Sequence, residues 1–123
     1  MSSSIILLAH GSRREVANNV LPQLASMIQE DRSFGKVDSA FLQFTSPSLE
    51  TALEEHIKEG VKNITVVPVF LFNGIHLKED IPEILEKKKE KHPDVNILMA
   101  QPLGADPRIG DIIKDRIKET QRR

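Results

Sequence analysis

Two histidines stand where this sequence is equipped to do chemistry. His10 follows the apolar run Ile5-Ile6-Leu7-Leu8-Ala9 and precedes Gly11-Ser12-Arg13, and His76 lies two residues after Gly74. A pair of imidazoles suits a divalent first-row metal such as Co²⁺, Ni²⁺ or Fe²⁺, and neutral imidazole also accepts a proton near neutral pH. Held by two side chains, an ion can be handed on; a full cage of protein ligands would trap it. The chain has no cysteine, so a metal here depends on imidazole, carboxylate, amide or hydroxyl groups. The plain alternative for each histidine is a structural one, bonding backbone and shaping a turn beside its glycine. His56, within a charged helical stretch, and His92, at a helix C-terminus that favours a cation, read as structural or solvent-exposed.

The elements that must position these residues follow from periodicity. Ile5–Ala9 reads as a strand buried on both faces, and Val37–Phe44, Asn63–Phe70 and Val95–Met99 as three more. Between them lie helical patterns. From about Arg13 to Asp31, Val16, Val20, Leu24, Met27 and Ile28 fall at helical spacing, and Pro22 should kink that helix or split off its first turn. Ser46 is expected to cap the second helix, with Pro47 at its first position and Leu49, Ala52, Leu53 and Ile57 on its buried stripe. Asp80-Ile81-Pro82-Glu83 looks like a capping box opening the third, which His92-Pro93 stops. Asp106-Pro107 opens the last, with Ile109, Ile112, Ile113 and Ile117 on one face.

The order βαβαβαβα predicts an α/β fold, a single three-layer domain over residues 1–123 with a four-stranded parallel sheet flanked by helices. Pro68 suggests that the third strand is an edge, or ends there. In such sheets ligands bind beyond the carboxyl ends of the strands. That rim carries His10 to Arg13, Gln43 to Ser46, Asn73 to Lys78 and Gln101 to Gly104, which places both candidate histidines on it. Ser12, Arg13, Ser46 and Lys78 flank the rim and could bind substrate carboxylates, or serve as caps and solvated charges.

Composition narrows the classes. Seventeen basic residues against eighteen acidic ones give a net charge of −1, which argues against a nucleic-acid binder. Aromatics make up 4%, with no Trp or Tyr, so stacking platforms for bases or sugars are not expected. The apolar runs are far too short to span a membrane and the N-terminus lacks a signal peptide's basic region, so a soluble cytoplasmic protein is expected. No P-loop or dinucleotide fingerprint is present.

Taken together, Ala9-His10-Gly11-Ser12-Arg13, Phe41-Leu42-Gln43-Phe44-Thr45-Ser46-Pro47-Ser48-Leu49, Val67-Pro68-Val69-Phe70-Leu71, Gly74-Ile75-His76-Leu77-Lys78-Glu79-Asp80-Ile81-Pro82 and Pro102-Leu103-Gly104-Ala105-Asp106 resemble the class II tetrapyrrole chelatases. The match is closest to the small CbiX/SirB-type sirohydrochlorin chelatases and covers essentially the whole chain. The Gly-x-His-x-x-x-Asp-Ile-Pro stretch is specific; His-Gly-Ser alone is not. The resemblance implies ATP-independent insertion of Co²⁺, Fe²⁺ or Ni²⁺ into a sirohydrochlorin-type tetrapyrrole, for cobalamin, siroheme or F430. The metal is then a substrate, and no tightly bound cofactor is implied. It further implies that His10 and His76 handle metal and protons, that the third strand is internal, and that short members pair as homodimers around the tetrapyrrole. Where the family commonly carries Glu, this sequence has Gln43, which keeps an acceptor oxygen but loses charge and basicity. Three readings follow for that position. The histidines suffice, with Gln43 orienting water or the ring; the enzyme is slower; or the protein is a non-catalytic carrier of tetrapyrrole or metal. A phosphate-handling enzyme with His10 as nucleophile is a further alternative resting on fold analogy alone.

Overall fold

The computed structural model describes residues 2–72, 74 and 79–121. Its elements in chain order are β1 (Ser3–Ala9), α1 (Glu15–Asn18), α2 (Val20–Gln29), β2 (Lys36–Phe41), α3 (Leu49–Lys58), β3 (Asn63–Pro68), α4 (Ile81–Lys91), β4 (Asn96–Met99) and α5 (Pro107–Gln121), with a short 3₁₀ turn at Arg32–Phe34. The four strands form one parallel sheet in the order β2-β1-β3-β4. The expected alternation of strand and helix is therefore present, and β1 lies at the centre of the sheet with His10 at its carboxyl end.

Pairing register sorts the strand residues by face. Ile6 and Leu8 of β1, Ile64 and Val66 of β3 and Ile97 of β4 point to one side, against Leu49, Ala52 and Leu53 of α3 and Ile81 and Leu85 of α4. Most of these side chains are fully buried, each contributing on the order of 1.5–3 kcal/mol when a Val, Leu or Ile is withdrawn from water. On the other face Leu7, Val37 and Phe41 pack with Leu21 and Ala25 of α2.

Several expectations require correction. The first helical stretch breaks at Asn19, with Pro22 in the first turn of α2, where a missing backbone donor costs no intrahelical bond. The break resets the register. The stripe facing the sheet is Leu21, Leu24, Ala25 and Ile28, while Val16, Val20 and Met27 are 82%, 54% and 62% exposed. Ser46 does not cap α3. The peptide bond between Ser46 and Pro47 is cis, and Ser48 is the cap, its hydroxyl accepting the Thr51 N–H at 3.1 Å. Asp80 precedes α4 in helical backbone conformation, and its side chain makes no cap bond.

Pro68 closes β3, and β3 is internal, so the edge reading fails and the strand-end reading holds. The Val69 N–H donates to Leu8 O at 2.8 Å, so by strand alternation the Pro68 nitrogen faces β4, whose last pair with β3 is Val66 with Met99. The last bond of that ladder runs from the Ala100 N–H to Val66 O at 2.9 Å, and Pro68, with no N–H to donate next, ends the pairing there.

The helix α5 also departs from expectation. None of its residues is buried, and Ile112, Ile113 and Ile117 are 51%, 54% and 51% exposed. Leu98 of β4, which shares a register position with Thr65 on the α2 side of the sheet, is 55% exposed as well. The third layer is thus complete over β1 and β2 and open over β4.

Candidate functional site

The candidate site lies at the carboxyl ends of the strands. Pairing continues past the formal end of β2, because the Leu42 N–H donates to Ala9 O and the Gln43 N–H donates to His10 O, each at 3.0 Å. These bonds draw Gln43 alongside His10. Gly11 permits the approach. Its φ is +92°, and a Cβ there would lie 1.9 Å from the Gln43 carbonyl oxygen, so any side chain would force the two loops apart.

His10 is exposed, and its ring is held by stacking. The His10 and Phe70 rings lie with centroids 4.2 Å apart at an interplanar angle of 7°. Phe70, 8% exposed, lies two residues past the end of β3 and is anchored in the α3/α4 core. Parallel stacking fixes the imidazole plane while leaving both ring nitrogens at its edge. The Phe70 carbonyl also accepts the Leu103 N–H at 3.0 Å, tying the segment before α5 to the same rim.

His10, Leu42, Gln43, Asp80 and Ile84 line a cleft of about 250 Å³. The structure thus brings His10 and Gln43, both expected on the rim, into one cleft. Sequence reasoning missed Phe70 and Asp80. Phe70 falls inside the third strand as periodicity reads it, whereas β3 ends at Pro68 and leaves Phe70 on the rim; Asp80 has the sequence context of a cap.

The remaining predicted residues sit differently. Ser12 is engaged in its own turn: its N–H donates to Asn18 Oδ1 at 2.8 Å, Asn18 Nδ2 donates to its carbonyl at 2.7 Å, and its hydroxyl accepts the Arg14 N–H at 3.1 Å. Arg13 is exposed, with its guanidinium carbon 4.7 Å from the centre of the Phe44 ring. Ser46 is exposed in the loop before α3. Neither Ser12, Arg13 nor Ser46 lines the cleft. His76 and Lys78 lie outside the described residues. Among the described residues no group of three or more His, Asp or Glu side chains is placed to hold a metal ion.

Phe44 carries a feature of its own. Its φ is +68°, the only non-glycine residue with positive φ among those described. Left-handed backbone at such a residue costs roughly 1–2 kcal/mol. The bend is imposed by its neighbours, since the Gln43 N–H is bound to His10 O while Pro47 O returns to accept the Phe41 N–H at 2.9 Å.

The two other histidines are structural. His56 is fully buried, with Nδ1 2.6 Å from Ser4 Oγ and Nε2 2.6 Å from Asp38 Oδ2. His92 caps α4 and places Nε2 3.2 Å from Glu54 Oε1, which also accepts from Lys88 Nζ at 2.7 Å. Those hydrogen bonds, Lys88 first and then His92, hold the Glu54 carboxyl down at about 2.

Comparison with known proteins shows the family. The chain is 35% identical over 136 residues to a sirohydrochlorin cobaltochelatase of Methanopyrus kandleri, covering 94% of this chain and 95% of the relative. It is 32% identical over 117 residues to a sirohydrochlorin ferrochelatase of Priestia megaterium, covering 95% of this chain but 44% of that protein. Among solved structures, the sirohydrochlorin chelatase SirB from Bacillus subtilis subspecies spizizenii, in complex with cobalt, superposes with a TM-score of 0.89 at 28% identity. This chain is covered over 97% and spans 51% of that one. The CbiX family model matches residues 4–120, and the chain belongs to the CbiX family.

Proposed function

We propose that this protein inserts a divalent metal ion, Co²⁺ foremost, into sirohydrochlorin or a closely related tetrapyrrole, without ATP. The observation that carries the reading is similarity over nearly the whole of a cobaltochelatase, with His10 and Gln43 brought to one cleft. Cobalt is preferred to Fe²⁺ or Ni²⁺ because the relative spanned end to end is a cobaltochelatase, whereas the ferrochelatase compared is spanned over less than half its length.

Insertion exchanges two pyrrole N–H protons for one metal ion, which must trade water for ring nitrogens. His10, its plane set by Phe70, offers an edge nitrogen as transient ligand or proton acceptor, with His76 as its partner. Gln43 supplies an acceptor oxygen and no charge, so in this reading it orients water or the macrocycle. Arg13, Ser46 and Lys78 are assigned to substrate carboxylates, and Ser12 to supporting the loop that carries Arg13. The same reading takes the working unit as a homodimer, since SirB is about twice this chain's length. It places the protein in the cytoplasm, consistent with a chain lacking cysteine. No helix among the described residues is long and apolar enough to cross a membrane.

The test is an anaerobic absorbance time course of sirohydrochlorin with Co²⁺, Fe²⁺ or Ni²⁺, with and without protein and without ATP. Acceleration, greatest with Co²⁺ and reduced at least about a hundredfold in His10→Ala, is expected. A rate equal to the uncatalysed one for every metal, with a spectral shift on adding protein alone, would overturn the enzyme in favour of the carrier.

A further inference from the structure

We propose that Phe44 is a positioning residue for tetrapyrrole binding, holding the Arg13 guanidinium where it pairs with a carboxylate on the macrocycle's edge. The inference rests on the tetrapyrrole reading above and adds a residue to it.

Four observations lead here. First, the bend between Gln43 and Pro47 requires a residue in left-handed backbone, and Phe44 fills it with φ +68°. Gly, Asn or Asp meets that need with less strain, so the turn does not account for an aromatic ring. Second, burial does not account for it either: Phe44 is 54% exposed and belongs to neither core cluster. Third, the ring has a partner, with the Arg13 guanidinium carbon 4.7 Å from its centre. Arg13 has no carboxylate partner among the described residues, so the ring is what fixes a guanidinium that solvent would otherwise leave loose. Fourth, the pair stands on the rim. Phe44 adjoins Gln43, which lines the cleft, and Arg13 lies three residues after His10.

A guanidinium over an aromatic face keeps its N–H donors, which lie in its own plane and match a carboxylate two at a time. The substrate class that fits is a flat macrocycle carrying carboxylates on its rim. Phe44 thus reduces the disorder that Arg13 must lose when the macrocycle binds.

The discriminating variant is Phe44→Asn, which suits the left-handed bend while removing the ring. Its urea midpoint should equal or exceed that of the unmodified protein. KM for sirohydrochlorin, and Kd for the metal-free macrocycle by absorbance titration, should rise about three- to tenfold, with kcat changed less than about twofold. Phe44→Tyr should restore KM. Combined with Arg13→Gln, Phe44→Asn should add nothing to the loss caused by Arg13→Gln alone. An unmoved KM in Phe44→Asn, or fully additive losses in the double variant, overturns the positioning role while leaving the chelatase reading intact. An unmodified protein that neither binds nor metallates sirohydrochlorin overturns both.

Discussion

At the scale of single residues, the three histidines that the structure describes divide by environment rather than by sequence neighbourhood. His10 is exposed at a strand end, in a cleft and against a flat ring, as a group that exchanges a ligand or a proton must be. His56 joins a serine and a carboxylate in a Ser-His-Asp chain, yet Ser4 is 1% exposed and stands at the opposite end of β1 from the cleft. No substrate reaches that hydroxyl, so the chain is a buried fastening between β1, α3 and β2. The Asp38 carboxylate only accepts, so Nε2 carries a proton toward it, and Nδ1 shares a hydrogen bond with the Ser4 hydroxyl. Every polar atom of the ring is satisfied, and the cost of losing it is correspondingly high. His56→Ala should destabilise the fold by about 2–4 kcal/mol, through a cavity and two abandoned partners, measured by urea unfolding. A loss under about 0.5 kcal/mol would mean that the chain contributes nothing net. The rim positions of His10 and Gln43 were legible from residue type and strand order. Phe70 and Phe44 were not singled out, because stacking on an imidazole or a guanidinium leaves no spacing signature.

At the scale of elements, strand order and the buried faces of α3 and α4 could be read from periodicity, because β-branched runs and i, i+3, i+4 stripes have few other uses. The register of α2 could not. Val16, Val20, Leu24, Met27 and Ile28 form as regular a stripe as Leu21, Leu24, Ala25 and Ile28, and only the break at Asn19 selects the second. Two connections between elements are open to direct test. Gly11→Ala must accommodate a Cβ 1.9 Å from Gln43 O at a φ of +92°, so it should cost at least about 1–3 kcal/mol and displace the segment carrying Gln43 and Phe44. Insertion should then fall even at temperatures where circular dichroism shows the variant folded; normal activity and stability together would contradict the close approach. The second connection is Glu54 of α3, bound to Lys88 and His92 of α4. Its folded-state carboxyl titrates at about 2, below the ordinary 4.5, so its contribution is fully present above the unfolded value and fades as pH falls from there through about 2. Glu54→Gln should therefore lower Tm at pH 7 and cease to do so near pH 2. A Tm difference unchanged across that range would show that the charge is irrelevant.

At the scale of the whole molecule, the open part of the third layer is what sequence reasoning did not foresee. The α5 stripe was legible as an amphipathic pattern, but an apolar stripe reports only that something covers it, never whether the cover belongs to the same chain. Here Ile112, Ile113 and Ile117 stay about half exposed, and Leu71, Phe72, Ile109 and Ile113 border an apolar groove of about 500 Å³. Leu98 of β4 is exposed as well. An exposed apolar groove of this kind is suited to association. On the homodimer reading proposed above, a second copy would cover it, in keeping with SirB, which has about twice the length of this chain and half of which superposes on nearly all of this one. Two copies would then supply the equivalent of both halves, each α5 covering apolar surface that one chain leaves open. Ile113→Glu places a carboxylate in the middle of that surface without touching a buried residue of the chain. It should leave the helical circular dichroism unchanged and convert a dimer to a species of 13.8 kDa in sedimentation equilibrium, with insertion activity falling in step. An unmodified protein that sediments as a monomer at tens of micromolar, or an Ile113→Glu variant that remains a dimer, would place the association elsewhere or remove it.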